Sequence, residues 1–281
     1  MSPKLGQTKR GKRGEKKSTL MKSTNESRKL KLIRSLSNNN FLFKNLDQSL
    51  LAKYLIPEQI TVEKLYSNLP VYTAFRNDIS LEYLYAIVRG GPIIVRTTPL
   101  DRIIDITYTD SCFGMQNLAL SFGKVSRAFP SLVEAYKTAD VVKISLETVK
   151  VIHTESEAFR QRYGLMFELQ EKFQYHLLNC STYPPQAVAA LLRALVYQER
   201  ELGNQPQKDG VFVFDLPVEI IAKACQLNHR TVEQVLKGMI KIGILKSPKD
   251  SQSDLVYVVN PEELKAVYGA TRDKVSWWPL R

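Results

Sequence analysis

From Glu155 to about Ser181 the chain contains no proline and one glycine, Gly164. Phe159, Tyr163, Met166, Gln170, Phe173, Leu177 and Cys180 recur in alternating steps of four and three. That is the spacing of a helix with one continuous stripe, sustained for about three heptads. A stripe that long has to be covered, by the rest of the chain or by a second copy. Gln170 in mid-stripe favours the second copy, because a buried polar residue there can fix register and oligomeric state; an ordinary core helix is the alternative. The expectation is a parallel homodimer through these seven residues, on a dimerisation helix at 155–182. Cys180 would then stand near the same residue of the other copy, within reach of a disulfide, or serve only as a small apolar side chain.

What precedes the helix has a different period. "LYSNLPVYTAF" (65–75), "LYAIVRGGPIIVRTT" (84–98), "RIIDITYT" (102–109), "FGMQNLAL" (113–120), "LVEAYKT" (132–138) and "DVVKISLETV" (140–149) are short, rich in Val, Ile, Tyr and Thr, and broken by Gly, Pro, Asp or Asn. Such segments predict an all-β domain, assigned to 41–154. The turn signals at "RGG" (89–91) and "PLD" (99–101) separate strands.

After the long helix, "TYPPQ" stops it, since proline cannot continue a helix. A second helix at 186–202 ends at Gly203, and "VFVFDL" (211–216) reads as a strand. Then comes "PVEIIAKACQLNHRTVEQVLKGMIKIG" (217–243). Here Ile221, Ala222, Leu227, Val232, Val235 and Leu236 have the spacing of the buried positions of a helix-turn-helix, with Asn228 as N-cap and Gly243 as left-handed C-terminal residue. The turn position often held by glycine is Gln226. The other face of the second helix shows His229, Arg230, Glu233, Gln234 and Lys237, with almost no apolar residue. A helix of this kind fits a major groove, its first turn at the base edges, and Arg and Gln suit guanine and adenine. "ILKS" and "LVYVV" follow as a hairpin in the place of a wing, where Lys246 and Lys249 would meet phosphate. The same pattern also suits a small helical core unit.

Charge separates one more region. Of the net +12 in 281 residues, residues 1–40 carry 12 Lys/Arg against Glu15 and Glu26. A tract this polar cannot bury enough surface to fold alone. It reads as a disordered basic arm, adding phosphate contacts on nucleic acid or acting as a solubilising extension. No apolar run reaches the length of a membrane span, and the N-terminus lacks the apolar segment of a secretory signal. Cys112, Cys180 and Cys225 form no metal pair or disulfide framework, which suits a reducing cytoplasm. His153, on an expected strand end, His176 and His229 are the only histidines, and no nucleophile–base pair can be named among them. No enzyme activity, catalytic residue, metal site or cofactor is expected.

The order of parts resembles the CRP/FNR family of bacterial transcription regulators over about residues 45–268. "LYAIVRGGPIIV" resembles its β-roll segment, "FGMQNLAL" stands where the phosphate-binding cassette would be, "TADVVKISLETVKVI" resembles the strand leading into the dimer helix, and "LNHRTVEQVLKGMIKIGIL" resembles the recognition helix and start of the wing. The resemblance implies an α+β chain: an N-terminal β-roll of the cyclic-nucleotide-binding jelly-roll kind, a long dimerisation helix, and a C-terminal winged helix-turn-helix at 183–281. It implies a homodimer on double-stranded DNA, with RNA polymerase as a further partner, in the cytoplasm at the nucleoid. It puts His229, Arg230 and Gln234 at base-reading positions, Asn228 and Thr231 as cap and phosphate contact, and Lys237 and Lys246 beside them.

The effector pocket departs from the family. Gly114 is present, but Met115 stands where cyclic-nucleotide binders place Glu, Phe129 and Pro130 stand in place of Arg-Ser, and Arg127 is two residues out of register. A cyclic phosphate needs a fixed positive charge there, so a response to cyclic AMP is not expected. No cysteine precedes Cys112, so a cluster sensor is not expected either. Arg89, Gly114, Met115 and Arg127 remain as pocket candidates for another small molecule or a protein effector. Arg96 and Arg102 suit an anionic ligand or an ordinary charged surface. A protein-interaction module on a degenerate regulator scaffold is the alternative function, motivated by the lost cassette and by the paired tryptophans of "VSWWPLR" (275–281).

Overall fold

The computed structural model describes residues 30–279 apart from 32, 57–59, 68, 70–71, 74–82, 98–101, 116–117, 119–129, 208, 249–253 and 271–274. The first 29 residues, most of the basic arm, lie outside the described residues, as does most of the cassette. The elements run α1 (33–39), α2 (Gln48–Tyr54), β1 (Thr61–Leu65), β2 (Tyr72–Thr73), β3 (Tyr83–Arg89), β4 (Ile93–Thr97), β5 (Arg102–Thr107), β6 (Cys112–Phe113), β7 (Pro130–Ala135), β8 (Ala139–Ser145), α3 (Leu146–Glu155) and α4 (Glu157–Leu178). They continue α5 (Pro184–Glu201), β9 (Phe212–Asp215), α6 (Val218–Cys225), α7 (His229–Lys241), β10 (Leu245–Lys246), β11 (Leu255–Val258) and α8 (Pro261–Gly269).

The β domain is two antiparallel sheets, ordered β1-β8-β3-β6 and β2-β7-β4-β5. Strand side chains alternate between faces, and β3 and β8 bury both. Tyr85, Ile87 and Val141 face the other sheet together with Ile93, Val95 and Val133. Leu84, Ala86, Val142 and Ile144 point the opposite way, onto the helices. Gly90, in the turn from β3 to β4, has φ +82°, and a Cβ there would lie 2.1 Å from the Thr138 carbonyl oxygen. The "RGG" signal therefore marks a position only glycine fills.

That second face overturns the expected dimer seam. Phe159, Tyr163 and Met166 of α4 cover it and are buried within a single chain; Phe159 is 0% exposed. Phe173 and Leu177 continue the stripe onto Ile94, Ile103 and Ile106 of the other sheet and onto α5. Gln170 does not set a register between copies. Its amide donates to the Cys112 carbonyl at 2.7 Å, satisfying a group on the short edge strand β6. Cys180 points into the chain as well, 3.6 Å from the Cys225 carbonyl. The period fixed a buried stripe, and the chain's own sheet supplies the cover.

Three boundaries also move, and one helix is added. The expected strand 140–149 ends at Ser145, whose Oγ accepts from the Thr148 N–H at 3.2 Å and starts α3. His153 therefore lies on a helix, and Ser156 caps a new one, its Oγ accepting from the Phe159 N–H, so α4 begins at Glu157. At the N-terminal side, the folded body starts before residue 41. Leu36 is buried with Leu42 and Phe43, and the Phe43 and Phe159 rings lie 5.4 Å apart. Asn40 is buried, its side chain donating to the Ser111 carbonyl and accepting from the Leu42 N–H. The final helix, α8, was not expected. Its signal was present in "NPEEL", a proline in the first turn followed by two acids.

Candidate nucleic-acid interface

Helix α6 stops where Gln226 turns left-handed, φ 56° and ψ 40°, and the Leu227 N–H closes on the Ala222 carbonyl at 2.9 Å. Glutamine thus takes the backbone conformation glycine usually supplies. Asn228 then starts α7, its Oδ1 accepting from the Thr231 N–H at 2.8 Å. Ile221 and Ala222 of α6 are buried together with Val232, Val235 and Met239 of α7. Leu227 and Leu236, expected in that core, are half-buried against it. This pins one side of α7 and leaves the other to water.

The side left open carries the expected residues. Asn228, His229, Arg230 and Lys237 are exposed, and Thr231 and Gln234 are half-buried beside them. His229 Nδ1 stands 3.8 Å from Glu233. The Asn228 side chain is committed to its cap, so its contribution to any ligand passes through the orientation of the first turn. Behind α7, β10, β11 and β9 form a three-stranded sheet, with Lys246 opposite Tyr257 and exposed. Lys249 and the wing tip lie outside the described residues. Sequence reasoning missed Gly238, in the middle of α7, on which the Trp277 indole rests. Its signal was a glycine inside a strongly helical segment, a costly residue kept for a reason.

The effector candidates do not converge on a described pocket. Arg89, highly exposed, pairs with Asp140 at 3.6 Å. Gly114 has φ +80°, and Met115 is half-buried against the core under α4. Arg127 lies outside the described residues. Arg96 pairs with Glu134, and Arg102 donates to the Leu177 and Leu178 carbonyls at 3.1 and 2.9 Å. Arg102 thereby caps the C-terminus of α4, where unpaired carbonyls concentrate negative charge. Among the described residues no group of three His, Cys, Asp or Glu could hold a metal ion, and no helix is long and apolar enough to cross a membrane. Burial pushes the Cys112 thiol up to about 12 and the Cys225 thiol higher still, so neither is a thiolate at neutral pH.

The two halves of the chain share one apolar core. Ile94, Ile103 and Ile106 pack in the same cluster as Phe212, Phe214 and Ile220. Polar contacts rim it: the Tyr108 hydroxyl donates to the Asp215 carbonyl at 3.3 Å, and Lys137 lies 2.5 Å from Asp215 and 3.8 Å from Asp254.

No protein-family model matches the chain, and no curated protein matches it in sequence. Solved structures match in fold. FixK2 from Bradyrhizobium japonicum superposes with a TM-score of 0.55 at 16% identity, covering 75% of this chain and 98% of that one. A CooA mutant from Carboxydothermus hydrogenoformans gives 0.52 at 15% identity, covering 80% and 92%. The chain has the CRP/FNR fold. The order β-roll, long helix, helix-turn-helix and wing is that of the fold, and identities this low speak for the architecture alone. α4 (Glu157–Leu178) falls within the expected long-helix span 155–182, and α7 (His229–Lys241) is the second helix of the helix-turn-helix.

Proposed function

We propose that this chain is a homodimeric, sequence-specific DNA-binding transcription regulator of the CRP/FNR type, not responsive to cyclic AMP. The observation that carries the reading is α7: a helix gripped by the core on one side, capped at its first turn by Asn228, and lined on the open side by His229, Arg230, Gln234 and Lys237. Arg230 and Gln234 read base edges, Thr231, Lys237 and Lys246 meet phosphate, and the basic arm adds salt-dependent affinity. RNA polymerase is the partner such a regulator meets at a promoter.

The second copy docks along the edge of the α4 stripe, over the groove that α4 forms with α5 and α8. A cavity of about 270 Å³ opens between α4, α5 and α8, lined by Leu169, Lys172, His176 and Arg193 and reaching the stripe residue Phe173. Tyr197 and Tyr268 line it and are exposed, as is Tyr175 on α4. Exposed aromatic surface around a groove is what an association site presents. In such a dimer two α7 helices would enter successive major grooves of a roughly palindromic site.

The interaction-module reading rested on the lost cassette and on the paired tryptophans of "VSWWPLR". Trp277 and Trp278 are half-buried against the chain's own core, which removes the second of these grounds. Replacing Arg230 with Ala tests the DNA reading. The loss should be ~1–3 kcal/mol on a selected site and small on random duplex. Equal losses on both DNAs would remove Arg230 from base reading.

A further inference from the structure

Gly238 is buried, and a Cβ built on it would stand 2.4 Å from Cε3 and 2.6 Å from Cζ3 of Trp277. Contacts that short do not occur, so the indole occupies its seat only because residue 238 is glycine. The seat is reached from the far end of the chain. Val275 is buried, and its carbonyl accepts from the Trp278 N–H at 3.0 Å, closing a turn that presents Trp277 to α7. The Trp278 ring stands edge-on to the Trp277 ring, 6.5 Å between centroids.

Position on the helix gives the contact its meaning. Thr231, Gln234 and Gly238 are three and four residues apart and share one row of α7. The core holds the helix from a different side, through Val232, Val235 and Met239. Core packing alone leaves the helix free to roll slightly about its axis, and a roll swings every exposed side chain off its target. A rigid ring wedged on the Gln234 row blocks that roll.

We propose that Trp277 is a positioning residue for the recognition surface: seated on Gly238, it fixes the roll of α7 and so the aim of Arg230 and Gln234. The role rests on the DNA reading above. Trp277 and Trp278 are the only tryptophans in the chain, so intrinsic emission reports this contact directly.

The test uses the full chain as wild type, Gly238→Ala, Trp277→Ala and the double variant, with tryptophan emission, Tm, and affinity for a selected site and for random duplex measured on each. Gly238→Ala unseats the indole: emission shifts to the red, and preference for the selected site drops by about tenfold, the scale of one misaligned base contact, while random-duplex affinity holds. In the Trp277→Ala background the same substitution costs no affinity and raises Tm, because alanine is the better helix former. Should Gly238→Ala alone fail to fold, Trp277→Ala, which only vacates the seat, carries the affinity measurement. Wild-type emission and site preference in Gly238→Ala, or an equal effect with and without Trp277, overturns the role. A wild type that prefers no DNA sequence overturns the DNA reading and this role with it, an outcome visible before any substitution is made.

Discussion

Asp105 shows how one residue can set a pH dependence. Its side chain is half-buried overall, yet Oδ1 is enclosed and finds no hydrogen-bond partner among the described residues, while Oδ2 accepts from the Thr107 hydroxyl at 2.9 Å. Burial outweighs that bond and pushes the carboxyl from 3.8 up to about 6. The folded chain therefore takes up a proton that the unfolded chain releases near pH 4. The stability tied to it is fully present below about pH 4 and is lost as pH rises through about 6. A rise of that size corresponds to at most ~3 kcal/mol, less for a side chain partly in water. Urea unfolding of the wild type at pH 5 and 7.5 should show this loss, and Asp105→Asn should flatten it; an unchanged slope in the variant would assign the pH dependence elsewhere. Asn228 offers a simpler residue-scale test. Removing its cap with Ala should cost ~1 kcal/mol of stability, read as a lower urea midpoint at unchanged slope. The cap was legible in the sequence because it is local, three residues from the N–H it holds. The partners of Arg96, Arg102 and Trp277 were not, because each is fixed by tertiary contacts across 38 or more residues.

At the scale of elements, the helix-turn-helix was legible and the dimer seam was not, for one physical reason. A 3.6-residue period states which side of a helix is apolar but not what covers it. For α7 the covering partner is α6, its sequence neighbour. For α4 it is the outer face of β3 and β8, which come earlier in the chain and bury both their faces. Strands buried on both sides were the available warning: "LYAIV" and "VVKI" run apolar without strict alternation, which signals a second layer on the sheet. The corrected assignment predicts opposite behaviour on the two sides of α4. Phe173→Ala, in the stripe, should destabilise the monomer fold by ~3–5 kcal/mol. Tyr175→Ala, on the exposed face, should leave the unfolding midpoint of a dilute sample nearly unchanged and weaken self-association in sedimentation. Equal loss of stability from both would return the stripe and the outer face to a single role.

For the whole molecule, the shared core joins the β domain to the C-terminal domain. Ile103 and Ile106 of β5 pack with the C-terminal core, and Arg102 on the same strand caps α4. A shift of β5 therefore reaches both the long helix and the helix-turn-helix without an intervening flexible joint. Thermal unfolding should follow one transition for both halves, with β-rich and tryptophan signals melting together; two separated transitions would show that the interface is weaker than its burial implies. Above all, this body is proposed to carry a dimeric reader of DNA sequence. Selection of bound duplexes from a random pool, with purified protein at ~150 mM salt where non-specific phosphate binding is weakened, tests it most directly. A dimeric reader should enrich a roughly palindromic site with half-sites about one helical turn apart. A folded, dimeric protein that enriches no sequence would contradict it.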